Sequence, residues 1–309
     1  SNTSNLIFSM SFTTDKVGNI LQQDRTLPAP TENRTFTYQD LQYFLASASG
    51  PWGTKFWRFD FSGNRVSADG DYNYLPNAAA TGVTSELEWI AHGIGQASQY
   101  TFDDGGYLDE FFFDDIGSNG DRTIDLTNDS AGQLSGLFAH QDTEKDLTLT
   151  MLYDGRNFLR EASEAYTGGW VRSTYSIGGT LHSLERLPVT GGTIERINVL
   201  YFAGSPIALW KKVGTATATT TRLVTDHLGT PIASIQEAGQ ALDWYGGFEP
   251  FGEDWQAGTA QDSLSKGIFL RMPGQWKDPI WGVATYRMEL FYNVNRWYEQ
   301  QTGRYTSAD

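Results

Sequence analysis

Apolar and polar residues alternate along much of the chain in short runs, each ending in Asp or Asn, then Gly, then a further apolar residue. Alternation with a period of two places every second side chain on the same face of a strand. Asp, Asn and Gly then supply the backbone conformations that a hairpin turn requires. The pattern therefore predicts hairpins at SFTTDKVGNIL (11–21), FTYQDLQYFL (36–45), FWRFDFSGNRV (56–66), YTFDDGGYLD (100–109), LTNDSAGQLSG (126–136) and MLYDGRNFL (151–159), with a variant copy at LVTDHLGTPIAS (223–234).

The reference aspartates of these runs recur at intervals of 25, 20, 43, 26 and 25 residues, at Asp15, Asp40, Asp60, Asp103, Asp129 and Asp154. The long interval is about two units, and YNYLPNAAATG (72–82) is a degenerate copy within it. One hairpin cannot bury its own apolar face, so neighbouring hairpins must extend into a continuous sheet. The prediction is an all-β fold. Its regularly spaced aromatics form either a packed ladder along the sheet or an exposed binding stripe.

Two segments depart from this pattern and predict short helices, at EASEAYTG (161–168) and TSELEWIAHGIG (84–95). The second is also compatible with an inserted loop.

Composition and charge narrow the function classes. The 309 residues carry a net charge of −15, which argues against nucleic acid and anionic membranes as partners. The most apolar run, 197–210, is too short and interrupted to span a bilayer. The absence of Cys excludes disulfides, thiolate metal sites and Cys nucleophiles. The first residues, SNTSNLIFSM, do not form a signal peptide, and the start on Ser suggests a processed or excised piece.

The last third of the chain carries a more specific series of motifs. TDHLGTPIASIQEAGQALDWYGGFEPFGED (225–254) is followed by MPGQWKD (272–278) and LFYNVNRWYEQQTGRYTSAD (290–309). Together with the repeats, this series resembles the YD, or RHS, repeat proteins: bacterial Rhs proteins, the C component of insecticidal Tc toxin complexes and the teneurins. The resemblance covers essentially the whole chain and is strongest over 223–309.

The resemblance implies that the repeats form a spiralling sheet, part of a hollow shell, with an inward-curling C-terminal plug. It divides the chain into a shell segment, 1–222, and a core-associated region, 223–309. The implied function is encapsulation of a C-terminal toxin that is not part of this chain, by a secreted or cell-surface-delivered protein. Seven or eight repeats are too few for a shell, so upstream repeats or a partner shell chain would complete it.

Many relatives clip the toxin free with an aspartyl-type autoprotease, acting once on its own chain. The resemblance places Asp278 at a catalytic Asp and Lys277 where many relatives have an assisting Arg. Asp309 is a second acidic residue in the same block and is the candidate for the other catalytic carboxyl. Two carboxylates that share a proton can activate water or polarise an amide. The alternative is that Asp278 caps a turn before Pro279. The sequence departs from the family pattern at Glu299, usually Asp, and in the longer segment 279–289. No cofactor or metal is implied.

The sequence also leaves other functions open. A β-rich carbohydrate-binding module would use exposed aromatics to stack on sugars, and a glycosidase could pair Glu249 with Glu253. Clustered carboxylates at 103–104 and in FFFDDIG (111–117) suit calcium, although adjacent acids on a turn are more often solvated. The scattered histidines are expected to have structural roles. Exposed Trp in a row would favour the sugar module, and buried Trp would favour the shell.

Overall fold

The structure is a computed structural model that describes residues 9–307 apart from 27–31, 40–42, 69, 80–81, 94, 116–119, 142–145, 237–241, 257–262 and 282–287. The chain divides into two compact units, Ser1–Gly93 and Ile94–Asp309. The described part of both is built from β-strands, with one short 3₁₀ turn, η1 (Pro279–Trp281). This confirms the all-β prediction.

The first unit contains nine antiparallel strands that pair in chain order within two runs. Five of them form one sheet: β1 (Ser9–Thr14), β2 (Ile20–Thr26), β3 (Glu32–Tyr38), β4 (Leu45–Gly50) and β5 (Gly53–Phe56). The other four also pair consecutively: β6 (Arg58–Phe59), β7 (Arg65–Ser67), β8 (Asp71–Pro76) and β9 (Val83–Gly93).

The second unit is a long meander in which each strand pairs with the next. Its strands are β10 (Gln96–Phe102), β11 (Leu108–Asp115), β12 (Arg122–Asn128), β13 (Leu134–Gln141), β14 (Leu147–Tyr153), β15 (Leu159–Glu164), β16 (Trp170–Tyr175), β17 (Leu181–Leu187), β18 (Glu195–Phe202), β19 (Ser205–Val213), β20 (Thr219–Thr225), β21 (Pro231–Gln236), β22 (Leu242–Phe248) and β23 (Asp254–Gln256). A separate four-stranded sheet follows: β24 (Gln275–Trp276), β25 (Leu290–Asn293), β26 (Arg296–Glu299) and β27 (Arg304–Tyr305).

One turn recurs at the tips of the predicted hairpins. In the turn after β12, Asp129 donates its backbone N–H to the carbonyl of Gln133, and Gly132 donates to the carbonyl of Asp129. The Asp129 carboxylate accepts two more backbone amides, from Ala131 at 2.8 Å and Gln133 at 3.0 Å. The same arrangement occurs at Asp15, Asp60, Asp103, Asp154 and Asp226. Asp40 lies outside the described residues.

The turn after β12 requires glycine at position 132. Gly132 has a φ of +74°, and a Cβ built on it would lie 2.3 Å from the hydroxyl of Tyr107. A side chain there would be strained and would also clash. Two turns of the same shape were not predicted, because Ser176 and Glu249 take the place of Asp. Their backbone bonds are the same, so backbone geometry permits residues other than Asp at this position.

One face of the second unit's sheet is buried and the other is exposed, as the alternation predicted. In β12, β14 and β16 the buried residues occupy every second position, among them Ile124, Leu149 and Val171. Burying such side chains contributes about 1.5–3 kcal/mol each. The buried face therefore holds the core, and the polar residues between point outward.

The two predicted helices are wrong, because both segments are strands. The segment 161–168 lies in β15 and the turn after it, where the carboxylate of Glu164 accepts the amides of Tyr166 at 2.7 Å and Thr167 at 2.6 Å. The segment 84–95 lies mainly in β9. Its buried Leu87 and Ile90 are three residues apart because the register shifts opposite Asn73 and Tyr74, and a bulge of this kind imitates helical spacing.

The boundary predicted at 222/223 stays a prediction. The strand β20 runs through this boundary, and the division into two compact units falls after Gly93 instead. Among the described residues, no helix has the length and apolar character needed to cross a membrane.

We predict that replacing Asp129 with Ala lowers the free energy of unfolding by about 1 kcal/mol, because two backbone amides lose their acceptor. The matched control is Asp129→Asn, which keeps a side-chain oxygen and should lose less. Chemical denaturation of both variants measures the difference. No loss in Asp129→Ala would show that the side-chain acceptor does not stabilise the turn.

Candidate functional site

The segment 263–307, called here the terminal block, packs against the meander of the second unit. It contains β24–β27 and η1, and about half of its described residues are buried. Three of its tryptophans are among the largest fully buried side chains of the described chain: Trp276, Trp281 and Trp297. The block is therefore an integral part of the core of this unit.

The tryptophans form one cluster with Tyr292. Ring centroids lie 4.7 Å apart for Trp281 and Trp297, 5.0 Å for Trp276 and Trp281, and 5.3 Å for Tyr292 and Trp297. Tilted and edge-on contacts at these distances are favourable beyond the area that they bury. The cluster joins β24, η1, β25 and β26 into one body although residues 282–287 lie outside the described part.

Hydrogen bonds attach this cluster to the repeats. The indole N–H of Trp297 donates to the Tyr153 hydroxyl at 2.8 Å, and that of Trp276 donates to the Tyr175 hydroxyl at 3.2 Å. The hydroxyl of Tyr292 accepts the backbone amide of Leu159 at 2.7 Å. Each bond satisfies a polar group that burial would otherwise leave unpaired, which makes the docking geometry specific.

The two acceptor tyrosines occupy equivalent places, each being the last residue before a repeat turn. Burial raises the pKa of both Tyr153 and Tyr175 well above its usual range. Both hydroxyls are therefore neutral at physiological pH and can donate and accept together. Tyr153 does both, since it also donates to the carbonyl of Leu134 at 2.6 Å.

The block follows the edge of the sheet at which these turns lie. In a meander, every second turn lies at the same edge. The turns at 103–107, 129–133, 154–158, 176–180, 226–230 and 249–253 therefore share one edge. Two further bonds tie the block to it: the amide of Leu108 donates to the carbonyl of Thr306 at 2.8 Å, and the Tyr298 hydroxyl donates to the carbonyl of Phe251 at 3.0 Å.

Asp278 is the most deeply buried of the predicted catalytic residues that the structure describes, with 3% of the residue exposed. Its Oδ2 lies 3.2 Å from the guanidinium of Arg186, on β17, and its Oδ1 accepts the amide of Ile280 at 3.0 Å. Burial raises the pKa of Asp278 above its ordinary value, and Arg186 and the Ile280 amide oppose that rise. The bond to Ile280 is the turn cap that the sequence offered as the alternative role.

Arg186 belongs to a chain of charges that sequence reasoning missed. Its Nε lies 2.7 Å from Oε2 of Glu195 on β18, and Oε1 of Glu195 lies 3.1 Å from the amine of Lys211 on β19. The order is therefore Lys211, Glu195, Arg186, Asp278. The four are separated by up to 92 residues in the sequence, so only the sheet register brings them together.

A cavity of about 270 Å³ opens beside Asp278. Arg186, Glu164 and Thr167 supply its polar groups, and its remaining lining is largely apolar: Leu147, Trp170, Leu187, Pro188, Pro279 and Ile280. The cavity therefore combines an ion-paired carboxylate and guanidinium with a largely apolar lining.

The amine of Lys277, a further predicted site residue, has partners other than the Asp278 carboxylate. The amine of Lys277 pairs with the Glu289 carboxylate and lies 5.9 Å from the ring centre of Phe291. Asp309 lies outside the described residues. The cation at Asp278 is thus Arg186, and the role predicted for Lys277 stays a prediction.

Glu299, which replaces the usual Asp of the family, has a structural place. It is buried, and its carboxylate accepts the amides of Gln301 at 3.0 Å and Thr302 at 2.8 Å, closing the turn before β27. Burial raises the pKa of Glu299 above its ordinary value, although these amides favour the charged form.

The residues considered for a glycosidase, and Asp103 among those considered for calcium, lie in hairpin turns. Glu249 and Glu253 begin and end one tight turn, in which the amide of Glu249 donates to the carbonyl of Glu253 at 2.9 Å. The Asp103 carboxylate accepts the amides of Gly105 and Tyr107. Within the described ranges, no three His, Asp or Glu side chains come together as a metal-binding group.

Comparison with known proteins gives one curated relative. The chain is 38% identical over 85 residues to toxin protein Tse5 of Pseudomonas aeruginosa, a stretch that covers 28% of this chain and 6% of the relative. No protein-family model matches.

Among solved structures, the chain is similar to chains in two TcdB2-TccC3 crystal structures, one of them without the hypervariable C-terminal region, and in the Photorhabdus luminescens Tc holotoxin pore. Each likeness has 13% identity and a TM-score of 0.45, and covers 98% of this chain. The chain spans 6% of the curated relative and 19% of these solved chains.

The repeated turns and the docked terminal block define the class: an all-β hairpin-repeat protein with its last strands folded back on the repeats. The motif series and the stretch shared with a bacterial toxin then confirm the resemblance found in the sequence. The chain is thus similar to the Rhs/YD-repeat proteins.

We predict that the stability of the protein depends on the indole donors of the terminal block. Replacing Trp297 with Phe keeps most of the ring but leaves the Tyr153 hydroxyl without its donor, so the free energy of unfolding should fall by about 1–3 kcal/mol. Adding Tyr153→Phe to this variant should cost less than Tyr153→Phe costs alone. A double-mutant cycle from denaturant unfolding measures the coupling, and additive losses would contradict it.

The raised pKa of Glu299 predicts a pH dependence. A carboxyl group with a raised folded pKa contributes stability that is fully present below its unfolded value and is lost as pH rises through the folded value. We therefore expect the melting temperature of Glu299→Gln, relative to the unmodified protein, to increase as pH rises from about 4 towards neutral. Asp278 shifts in the same direction but is present in both proteins, so its effect cancels. A constant difference across this range would refute the expectation.

Proposed function

We propose that the chain is the closing portion of the shell of an Rhs-type toxin, with the terminal block as its stopper. The hydrogen bonds of Trp276, Trp297 and Tyr292 to the repeats support this proposal, because they fix the last strands against the turn edge of the sheet. The proposed parts are a shell segment, 1–222, and a stopper region, 223–309. The proposed cargo is a toxin segment that follows residue 309.

Upstream repeats or a second shell chain complete the enclosure in this proposal, and the whole protein is delivered outside the producing cell. The curated toxin that shares 38% identity over 85 residues supports a role in a toxin. The buried face of the meander supplies the wall, and its polar face is turned to solvent.

The distribution of tryptophan favours the shell over a carbohydrate-binding module. Five of the ten Trp are buried: Trp57, Trp244, Trp276, Trp281 and Trp297. Trp89 is exposed at 37%, and the remaining four are intermediate. A platform for sugar stacking needs a row of exposed rings on one face, and these rings are mainly core residues instead.

The second part of the proposal is a single self-cleavage after the terminal block, with Asp278 as a catalytic carboxyl and Asp309 as the second one. One carboxylate takes a proton from a water molecule while the water oxygen attacks the scissile carbonyl carbon. The other carboxyl gives its proton to the leaving amine, so the products are a new carboxylate and a new amino group. The cavity beside Asp278 offers space for the chain next to the scissile bond.

Arg186 acts in this proposal as a positioning residue. Its bond to Oδ2 of Asp278 orients the carboxyl group and favours its charged form against the effect of burial. Glu195 holds the same guanidinium from the other side, so the orientation is shared with the sheet.

We predict that the chain, extended with its natural downstream segment, yields a clipped product, and that Asp278→Asn abolishes the clipping. The control Asp226→Asn changes a turn carboxylate outside the terminal block and should clip normally. Arg186→Lys should retain clipping at a reduced rate with a shifted pH profile, and Arg186→Met should lose more. Mass spectrometry of the purified proteins over time measures each rate. Clipping that survives in Asp278→Asn would remove the catalytic assignment while leaving the fold intact.

Encapsulation is tested separately by limited proteolysis of the full-length protein that contains the chain. The cargo segment should resist protease as long as the terminal block is docked. The double variant Trp276→Ala/Trp297→Ala should expose it, while Trp89→Ala, at an exposed position, should not. A cargo that is digested equally in all three proteins would contradict the stopper.

A further inference from the structure

Charged residues on the outer face of the second unit's sheet follow a regular order. Glu161, Arg172, Glu185 and Arg196 lie opposite one another across β15, β16, β17 and β18. The ion pairs measure 2.7 Å for Arg172–Glu161 and 3.3 Å for Arg196–Glu185. Opposite charges at directly opposed positions stabilise a sheet, so this ladder is the expected arrangement.

Two places on the same face break the order. On β11 and β12, Glu110 lies directly opposite Asp125. On β18 and β19, Arg196 lies directly opposite Lys212. Like charges at opposed positions destabilise a sheet. Within the described part of the chain, neither Glu110, Asp125 nor Lys212 forms an ion pair.

Exposed apolar side chains accompany both exceptions. The acidic patch consists of Glu110, Asp125 and Phe138; the Phe138 ring is opposite Asp125 on β13 and is 39% exposed. The basic patch consists of Arg196, Lys212, Arg222, Leu200 and Ile207; Arg222 and Leu200 both lie opposite Ala208, and the two aliphatic side chains are 46% and 44% exposed. Each patch thus combines charges of one sign with apolar surface, and in the basic patch Arg196 is also paired with Glu185 on the neighbouring strand.

We propose that the basic patch of one molecule binds the acidic patch of a second copy of this chain. The two patches cannot meet within one molecule through the sheet, because β14–β17 lie between them and strands are about 4.8 Å apart. In the contact, each like-charge pair gains counter-charges, and Phe138 covers the exposed aliphatic side chains of the partner. This proposal does not depend on the proposed function.

The surface of the chain favours a second copy over other occupants. The net charge of −15 opposes binding to nucleic acid and anionic lipid, and it makes a basic patch exceptional on this molecule. The acidic patch supplies both features that the basic patch lacks: carboxylates and an aromatic ring. Because the two surfaces differ, the contact is head-to-tail and leaves one patch of each kind open at the ends.

Charge reversal tests the proposal in the 309-residue chain by sedimentation velocity over a range of concentrations. The unmodified protein should associate in a concentration-dependent way, and roughly 0.5 M NaCl should weaken the association, since salt screens exposed charges. Lys212→Glu/Arg222→Glu and Glu110→Lys/Asp125→Lys should each weaken self-association by about tenfold or more. An equimolar mixture of the two variants should restore association, because the reversed patches are complementary again.

The control Lys16→Glu/Arg160→Glu makes the same change in net charge as Lys212→Glu/Arg222→Glu, at exposed positions outside the patches, and should associate like the unmodified protein. A protein that stays monomeric at every concentration overturns the proposal. So does a mixture that fails to associate, or a control that weakens association as much as the patch variants. Vesicles of phosphatidylserine and phosphatidylcholine are the competing probe. Binding to them that needs Lys212 and Arg222, without self-association, assigns the basic patch to a membrane and also overturns the proposal.

Discussion

The fold depends on a constraint that each hairpin shares: it has an apolar face that it cannot cover alone. The turn carboxylate fixes the tip of a hairpin by accepting two backbone N–H groups, as at Asp129. The register that follows from the tip then sets which side chains point to the covered face. The next hairpin and the terminal block cover that face. Local turn chemistry and long-range burial therefore specify the same sheet.

Much of this could be predicted from the sequence, because the signals are local. The alternation of apolar residues, with Asp, Asn and Gly as turn residues, predicted the strands and the turns at Asp15, Asp60, Asp103, Asp129 and Asp154. The helices predicted at 84–95 and 161–168 failed for local reasons too. In 84–95, a bulge in β9 gave the buried residues helical spacing. In 161–168, the sequence around Glu164, which caps a turn, has a composition that is also common in helices.

The candidate site was predictable only in part. The motif that ends in Asp278 identified the carboxyl group, but nothing near it in the sequence indicated Arg186 as its partner. That pairing depends on the register of β17 against β18 and on the path of the chain after β24. The like-charge pairs of the outer face were hidden for the same reason, since Arg196 and Lys212 become neighbours only once β18 and β19 are aligned.

The repeats differ in the residue that comes directly before the repeat turn. Along the edge where the block docks, it is Tyr at 153 and 175, where Trp297 and Trp276 bind, Phe at 102 and 248, Asn at 128 and Thr at 225. Both ring types fill space, yet only the phenol can accept an indole proton. A single oxygen atom thus distinguishes the two hairpins with Tyr from the two with Phe. It gives the returning strands a fixed position along the wall.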